Sequence, residues 1–420
     1  MEAMIIKGGR RLSGTLQTSG AKNATLPIMA AAILADGPST IENVPSLKDV
    51  STMREILETI GVKTELENGT LKVDPQVDGD ATAPYELVKT MRASVCVLGP
   101  LLAKTKKAKV SLPGGCVIGP RPIDIHLKGL RALGADIEVS HGYVEAKADR
   151  LCGSEIFLGG PAGSSVLATA NVMMAAVLAE GETVIENAAM EPEVADLAGF
   201  LVAMGAEIHG VGGHRLTIRG VTQLKGTTYR VIGDRIEAGT LMCAAAATGG
   251  DVELTGVAWE HLAALVDILR VAGVKVDQTD NGCHVSVSER LTATDAVTLP
   301  YPGFPTDMQA QVMALLSTAD GTSTITETVF PERFIHAGEL NRMGADIGRD
   351  GPTAIINGVE KLTGAPVMAS DLRASAALII AGLIAEETTT LGRIYHLDRG
   401  YEHIEEKLSS IGADIRRVTL

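Results

Sequence analysis

The sequence predicts an α/β fold of six repeats, each of roughly 70 residues and each carrying a buried helix. Three observations carry this reading. A glycine follows an amphipathic helix end at a near-constant step. A tight-turn signal and a strand follow that glycine in the same phase. An Ala-rich apolar helix follows the strand.

The helix ends read ILETIGVKTEL at Gly61, GLRALGADIEV at Gly134 and FLVAMGAEIHG at Gly205. They return as ILRVAGVKVDQ at Gly273, ELNRMGADIGR at Gly344 and KLSSIGADIRR at Gly412, in steps of 73, 71, 68, 71 and 68 residues. A glycine just past the last helical turn predicts a left-handed C-cap, a conformation that a residue without Cβ enters at little cost. Downstream come ENG (67–69), SHG (140–142), GG (212–213), DNG (280–282) and RDG (349–351). Asn-Gly and Asp-Gly favour the turn of a β-hairpin. Strands follow as LKVDP, YVEAKA, LTIRG, HVSVS and AIING, with MIIKG near the start of the chain as the sixth. RRLSG, DRLCG, TQLKG and EKLTG echo one another in four repeats.

The apolar helices are LPIMAAAILA, MRASVCVLGPLLA, LATANVMMAAVLA, AGTLMCAAAATG, DMQAQVMALLS and RASAALIIAGLIA. A further strand such as ETVIENA or GDVELTG completes each βαβαβ-type unit. Helices apolar on every face belong in the interior. An aromatic content of 3% suits a core of closely approaching helices.

The length of 420 residues allows two or three domains with real cores. A formal net charge of −14 argues against a nucleic acid or an anionic membrane as partner, though a local cationic pocket can still take a small anion. The start, MEAMIIKGGRR, lacks the apolar core of a signal peptide, and the run ASAALIIAGLIA (374–385) is too short to span a bilayer. Five cysteines without CxxC spacing indicate neither a disulfide framework nor a zinc site, so a cytoplasmic location is expected. Walker, Rossmann and HExxH patterns are absent from the sequence, and no cofactor or metal is expected. Oligomeric state is not readable.

If the buried helices point their N-termini alike, their free N–H groups and dipoles make anion sites. The residues at those mouths include Lys22 and Asn23 (SGAKNAT), Arg92 (KTMRAS), Ser164 and Ser165 (GPAGSSV), and Arg235 and Glu237 (GDRIEAG). Asp307 (FPTDMQA), Asp371 and Arg373 (ASDLRAS) complete the series. Charge at an apolar helix mouth is costly unless paired or liganded. Capping together with interhelix salt bridges, with Asp371–Arg373 and Asp234–Arg235 as examples, is the alternative to ligand binding. Loops after the strands add Arg333 (FPERF) and Arg399 (HLDRGYEH), and SLPGGCVIGPRPID (111–124) places Cys116 five residues before Arg121. A thiol on a Gly/Pro-rich loop beside a cation favours reactive thiolate over packing. Lys22, Arg92, Arg121, Arg333, Arg373 and Arg399 in one cleft suit a phosphate together with a carboxylate.

SGAKNATLPIMAAAIL, KTMRAS, SLPGGCVIGPRPIDIHL, FPTDMQAQ, TETVFPERF, DLRASAAL and IYHLDRGYE together resemble the UDP-N-acetylglucosamine 1-carboxyvinyltransferases, enolpyruvyl transferases of the EPSP synthase-like superfamily. The resemblance runs over the whole chain. It implies two inside-out α/β barrel domains with central helices, residues 22–232 forming one and residues 1–21 with 233–420 the other, and a substrate cleft between them. It implies enolpyruvyl transfer from phosphoenolpyruvate to the 3′-hydroxyl of UDP-N-acetylglucosamine, the first committed step of peptidoglycan precursor synthesis. By motif match, Cys116 looks like the proton donor and the thiol that fosfomycin alkylates in this family, while Asp307 looks like the base for the sugar hydroxyl. Lys22, Arg121 and Arg399 resemble the phosphoenolpyruvate-binding set, with Asn23, Arg333 and Arg373 in support. The nucleotide sugar would meet Arg92, Arg121, Pro122, Ile123, Asp124, Ile125, Gly163, Ser164, Ser165, Val166, Asp307 and Val329. On this reading the 113–122 segment is a lid. Cys96, Cys152, Cys243 and Cys283 match no family motif and read as packing thiols. Two positions depart from the family pattern, Leu167 where a small Gly is expected and Met190 where Arg is expected. Transfer to shikimate 3-phosphate and a non-catalytic repeat scaffold remain as rivals.

Overall fold

The computed structural model describes residues 2–77, 82–112, 123–160 and 163–419. The chain divides into two compact units, one of residues 20–232 and one of residues 2–19 with 233–419. Each has its own apolar core.

Both units are built from three four-stranded sheets of one pattern. In the 20–232 unit, Thr82–Ala83 lies parallel to Lys107–Ser111, which pairs antiparallel with Tyr143–Lys147, which in turn pairs with Asp136–Ser140. Glu155–Phe157, Glu182–Glu186, Arg215–Arg219 and Glu207–His209 repeat that order. The remaining sheet of the unit takes its parallel edge from the far end, Thr228–Arg230 against Ser39–Glu42. In the other unit, Ser13–Gln17 supplies the parallel edge to Asp251–Thr255. Glu2–Lys7 sits between Thr388–Gly392 and Asp414–Thr419, antiparallel to both. Each repeat is therefore βαβαββ, one short parallel edge strand richer than the sequence pattern shows.

The six glycines of the repeat all take positive φ, from 91° at Gly344 to 109° at Gly205. The left-handed turn ends each amphipathic helix and sends the chain straight into the outer strand of its sheet.

The apolar helices form the interior. Every residue from Arg235 to Ala246 in the helix Arg235–Ala247 is buried, as is every residue from Arg373 to Leu383 in Leu372–Ile384. Leu98–Thr105 packs on Val166–Ala176 in the same manner in the other unit. There Gly99 lies so close to Asn171 that a Cβ would stand 2.2 Å from the Asn171 carbonyl oxygen. The Asn171 side chain crosses the contact: Oδ1 accepts the Gly99 N–H at 2.8 Å, and Nδ2 donates to the Val95 carbonyl and meets His126 Nδ1, each at 2.9 Å. Because Oδ1 faces a backbone donor and Nδ2 a backbone acceptor, the amide orientation is fixed. His126 Nδ1 then accepts, and the imidazole proton sits on Nε2. Burial, aided by the Arg92 charge, pushes His126 down to about 3, so the ring stays neutral.

Asp196, on the helix Pro192–Ala203, accepts hydrogen bonds from the Tyr229 hydroxyl at 2.8 Å and the Ile232 N–H at 3.2 Å. Burial pushes its carboxyl from 3.8 up to about 6, against those two bonds and with a small addition from Glu193. Across that window the folded chain keeps a proton that the unfolded chain releases, so stability falls as pH rises through it. Asp196→Asn should remove this slope. Urea titrations at pH 4 and pH 7 check it; a variant with the wild-type slope contradicts it.

Among the described residues no helix is long and apolar enough to cross a membrane.

Candidate active site

Arg333 and Arg373 converge on Asp307 in the unit of residues 2–19 and 233–419. Asp307 lies in the 3₁₀ turn Thr306–Met308 that leads into the helix Gln309–Leu316. Its carboxylate caps neither element. Instead, Arg333 Nη1 donates to Oδ1 at 2.8 Å, and Arg373 Nε and Nη2 donate to Oδ2 at 3.2 and 2.9 Å. The arginine side chains are only 7% and 3% exposed, against 26% for Asp307. Burial opposes its ionisation, but the two guanidinium charges outweigh burial and hold the Asp307 carboxyl well below the usual range.

Arg373 starts the buried helix Leu372–Ile384, whose N-cap Asp371 accepts the N–H groups of Arg373 and Ala374 at 2.8 and 3.1 Å. The adjacent acid thus caps the backbone, and the Arg373 side chain reaches Asp307 in the neighbouring repeat. Asp234 likewise accepts from the Ile236 and Glu237 N–H groups. The Arg373 guanidinium lies over the Tyr401 ring at 5.3 Å. Tyr401 is fixed behind it by Thr240 Oγ1 at 2.8 Å and Gln311 Nε2 at 3.2 Å, and Gln311 also donates to the Asp307 carbonyl at 2.9 Å. Arg373 Nη1 is buried and has no hydrogen-bond partner among the described residues. A buried guanidinium N–H without an acceptor is costly, and a ligand oxygen would satisfy it.

Arg399 ends the 3₁₀ turn Ile394–Arg399 and is half-buried. Its neighbour Asp398 is held by Arg417 through a bidentate pair at 2.5 and 3.1 Å. Val329 is half-buried in the loop after the strand Thr322–Thr326.

In the 20–232 unit, Lys22 opens the helix Lys22–Ala31 and Asn23 follows it, half-buried. Lys22 Nζ lies 3.4 Å from Asp49 Oδ2, with both side chains nearly buried. A cation at a helix N-terminus adds to the positive end of the dipole, so the spot selects anions. Arg92 opens the 3₁₀ turn Arg92–Val97. Buried Ile123 precedes the helix Asp124–Ala132, where Asp124 is exposed and Ile125 half-buried against Gly160. Gly163 and Ser164 pair with Gly159 and Gly160, and Ser165 Oγ accepts the Ala168 N–H at 3.4 Å at the head of Val166–Ala176. Leu167, where a small residue was expected, packs partly buried against the apolar core of this unit. Met190 is half-buried just before the helix Pro192–Ala203.

Cys116, Arg121 and Pro122, with the 113–122 lid, lie outside the described residues. Burial pushes the Cys96 and Cys283 thiols up to about 12 and Cys243 higher still, so these three stay protonated and inert. Cys152 is half-buried. Asp49, Gln311 and Tyr401 were not singled out by sequence. Tyr401 sits in the quoted IYHLDRGYE, but a tyrosine behind an arginine has no local signature.

Six βαβαββ repeats in two units are the fold of the enolpyruvyl transferases. The family described as EPSP synthase (3-phosphoshikimate 1-carboxyvinyltransferase) matches residues 6–408, and the chain belongs to it. Within that family it is 56% identical to the UDP-N-acetylglucosamine 1-carboxyvinyltransferase of Myxococcus xanthus over 420 residues, 99% of each chain. It is 54% identical to the enzyme of the same name from Geobacter metallireducens over the full length of both. Among solved structures, the enolpyruvyl transferase NikO from Streptomyces tendae matches with a TM-score of 0.90 at 27% identity, over 100% of this chain and 99% of that one. EPSP synthase from Acinetobacter baumannii shares the fold at a TM-score of 0.74 and 20% identity.

Proposed function

We infer that this chain transfers the enolpyruvyl group of phosphoenolpyruvate to the 3′-hydroxyl of UDP-N-acetylglucosamine and releases phosphate. The observation that carries the reading is the Asp307 cluster: a partly exposed carboxylate beside two buried arginines, one of which keeps a buried donor unclaimed. Full-length relatives at 54–56% identity supply the substrate names.

The sugar oxygen adds to C2 of the enol phosphate while a proton goes to C3, giving a phospho-ketal. Phosphate then leaves C2 as C3 gives up a proton, which restores the alkene as an enol ether. The first half needs a base for the hydroxyl and an acid for C3, and both halves need cations for phosphate and carboxylate. Asp307 takes the hydroxyl proton in this scheme, and Cys116 delivers the proton to C3. Lys22, Arg121 and Arg399, with Asn23, Arg333 and Arg373, hold phosphoenolpyruvate. Arg92, Ile123 to Ile125, Gly163 to Val166 and Val329 serve the nucleotide sugar. An Asp307 held by two arginines is a weak base. Incoming phosphate and carboxylate draw those guanidiniums onto themselves, which restores basicity to Asp307 when substrate is bound.

The test is phosphate release from phosphoenolpyruvate with each acceptor. Release with UDP-N-acetylglucosamine and none with shikimate 3-phosphate is the expected result. Release with shikimate 3-phosphate alone overturns the acceptor, and release with neither overturns the enzyme reading.

A further inference from the structure

At the carboxyl end of the strand Thr322–Thr326 stands a fully buried carboxylate, Glu327. In the matching position after the corresponding strand, Asn43, Asn187, Gly256 and Arg393 turn the chain through the left-handed region. Glu327 does not; it gathers donors instead. Its Oε1 accepts the Thr298 hydroxyl at 2.7 Å, the Val329 N–H at 2.8 Å and the Phe330 N–H at 2.9 Å. Its Oε2 accepts the Thr306 hydroxyl at 2.8 Å. Thr306 Oγ1 in turn accepts Arg333 Nη1 at 3.0 Å, the same nitrogen that donates to Asp307.

One buried side chain thus ties together the loop that carries Val329, the turn that carries Asp307, and the Arg333 guanidinium. A buried carboxylate is costly, and four donors are what make it tolerable. The position itself does not call for a carboxylate, since four other repeats carry Asn, Gly or Arg there. We propose that Glu327 is a positioning residue for enolpyruvyl transfer. Acting through Thr306, it keeps Arg333 anchored at the site when substrate draws the guanidinium from Asp307, and acting through the 329–330 amides it fixes the loop on the nucleotide-sugar side. This rests on the functional reading above.

Glu327→Gln keeps the shape but leaves one acceptor oxygen where four donors need two. Displacement of site groups by as little as 1 Å costs about 10²-fold, so kcat/KM should fall roughly 10- to 100-fold, with KM raised for both substrates. Thr306→Val removes the hydroxyl that links Glu327 Oε2 to Arg333, leaves the 329–330 amides on Oε1, and should raise KM for phosphoenolpyruvate alone, by at least about fivefold. Because both variants act on one chain of contacts, the double variant should be no worse toward phosphoenolpyruvate than Glu327→Gln. Each rate is normalised to the folded fraction measured by circular dichroism. KM values within twofold of wild type in folded Glu327→Gln overturn the proposal, as do effects that multiply in the double variant. If Glu327→Gln does not fold, Thr306→Val decides alone, and an unchanged KM overturns the proposal. Wild-type protein that releases no phosphate overturns the functional reading and this inference with it.

Discussion

Asp307→Asn should release phosphate roughly 10²–10⁴-fold more slowly than the wild-type chain, the usual loss when a positioned base is removed. It should still bind phosphoenolpyruvate at least as tightly. Asparagine keeps an oxygen for one arginine but cannot take a proton, and its neutrality leaves the Arg333 and Arg373 charges less satisfied than before. An anionic substrate then meets a more positive pocket. Helix capping does not compete as an explanation, because the Asp307 carboxylate caps no helix. Steady-state kinetics separate the outcomes. Turnover within about threefold of wild type contradicts the base role, and a raised KM with unchanged kcat reassigns Asp307 to binding.

Gly99→Ala should strongly destabilise the 20–232 unit. The added methyl would sit 2.2 Å from the Asn171 carbonyl oxygen and 2.9 Å from its Oδ1, backbone and side chain that cannot both retreat. Overpacking alone costs about 1–3 kcal/mol. Displacing Asn171 also unmakes buried bonds to Gly99, Val95 and His126, each leaving an unpaired group worth about 1–3 kcal/mol. A total near 4 kcal/mol is expected. Hydrogen exchange should quicken in the helices Leu98–Thr105 and Val166–Ala176 and stay unchanged in Arg235–Ala247. Uniform acceleration across the chain, or none, contradicts this account.

Local signals in the sequence were reliable. A glycine that ends a helix and the Asn-Gly or Asp-Gly that follows act within a few residues, and all six repeat glycines take the left-handed conformation. Helices apolar on every face are interior because no side of them could meet water. What the sequence hid is long-range. The two-residue edges Thr82–Ala83 and Ala296–Val297 are too short to show alternation. Asp371 was one alternative partner for Arg373, yet the acid it meets is Asp307, 66 residues away, because the adjacent acid is consumed by the helix N–H groups. The motifs named Lys22, Arg333 and Arg373 but not Asp49, which meets Lys22, Tyr401, which lies against Arg373, or Glu327, which reaches Arg333 through Thr306. Such residues have partners rather than patterns.

The place of Glu2–Lys7 between Thr388–Gly392 and Asp414–Thr419 bears on how the chain is made. Glu2–Lys7 is synthesised long before either of the strands it pairs with. At about 5–20 residues per second, that strand waits on the order of tens of seconds with both edges unpaired. Ser13–Gln17 waits less long, for Asp251–Thr255. Meanwhile every strand of the 20–232 unit finds its partner inside that stretch, so it can fold as an insertion while the outer unit is incomplete. The waiting segment is itself guarded: EAMIIKGGRR follows its apolar run with a lysine, two glycines and two arginines, residues that discourage edge-to-edge association. Nascent chains stalled before residue 388 should therefore hold a protease-resistant inner unit and an N-terminal segment still open to cleavage.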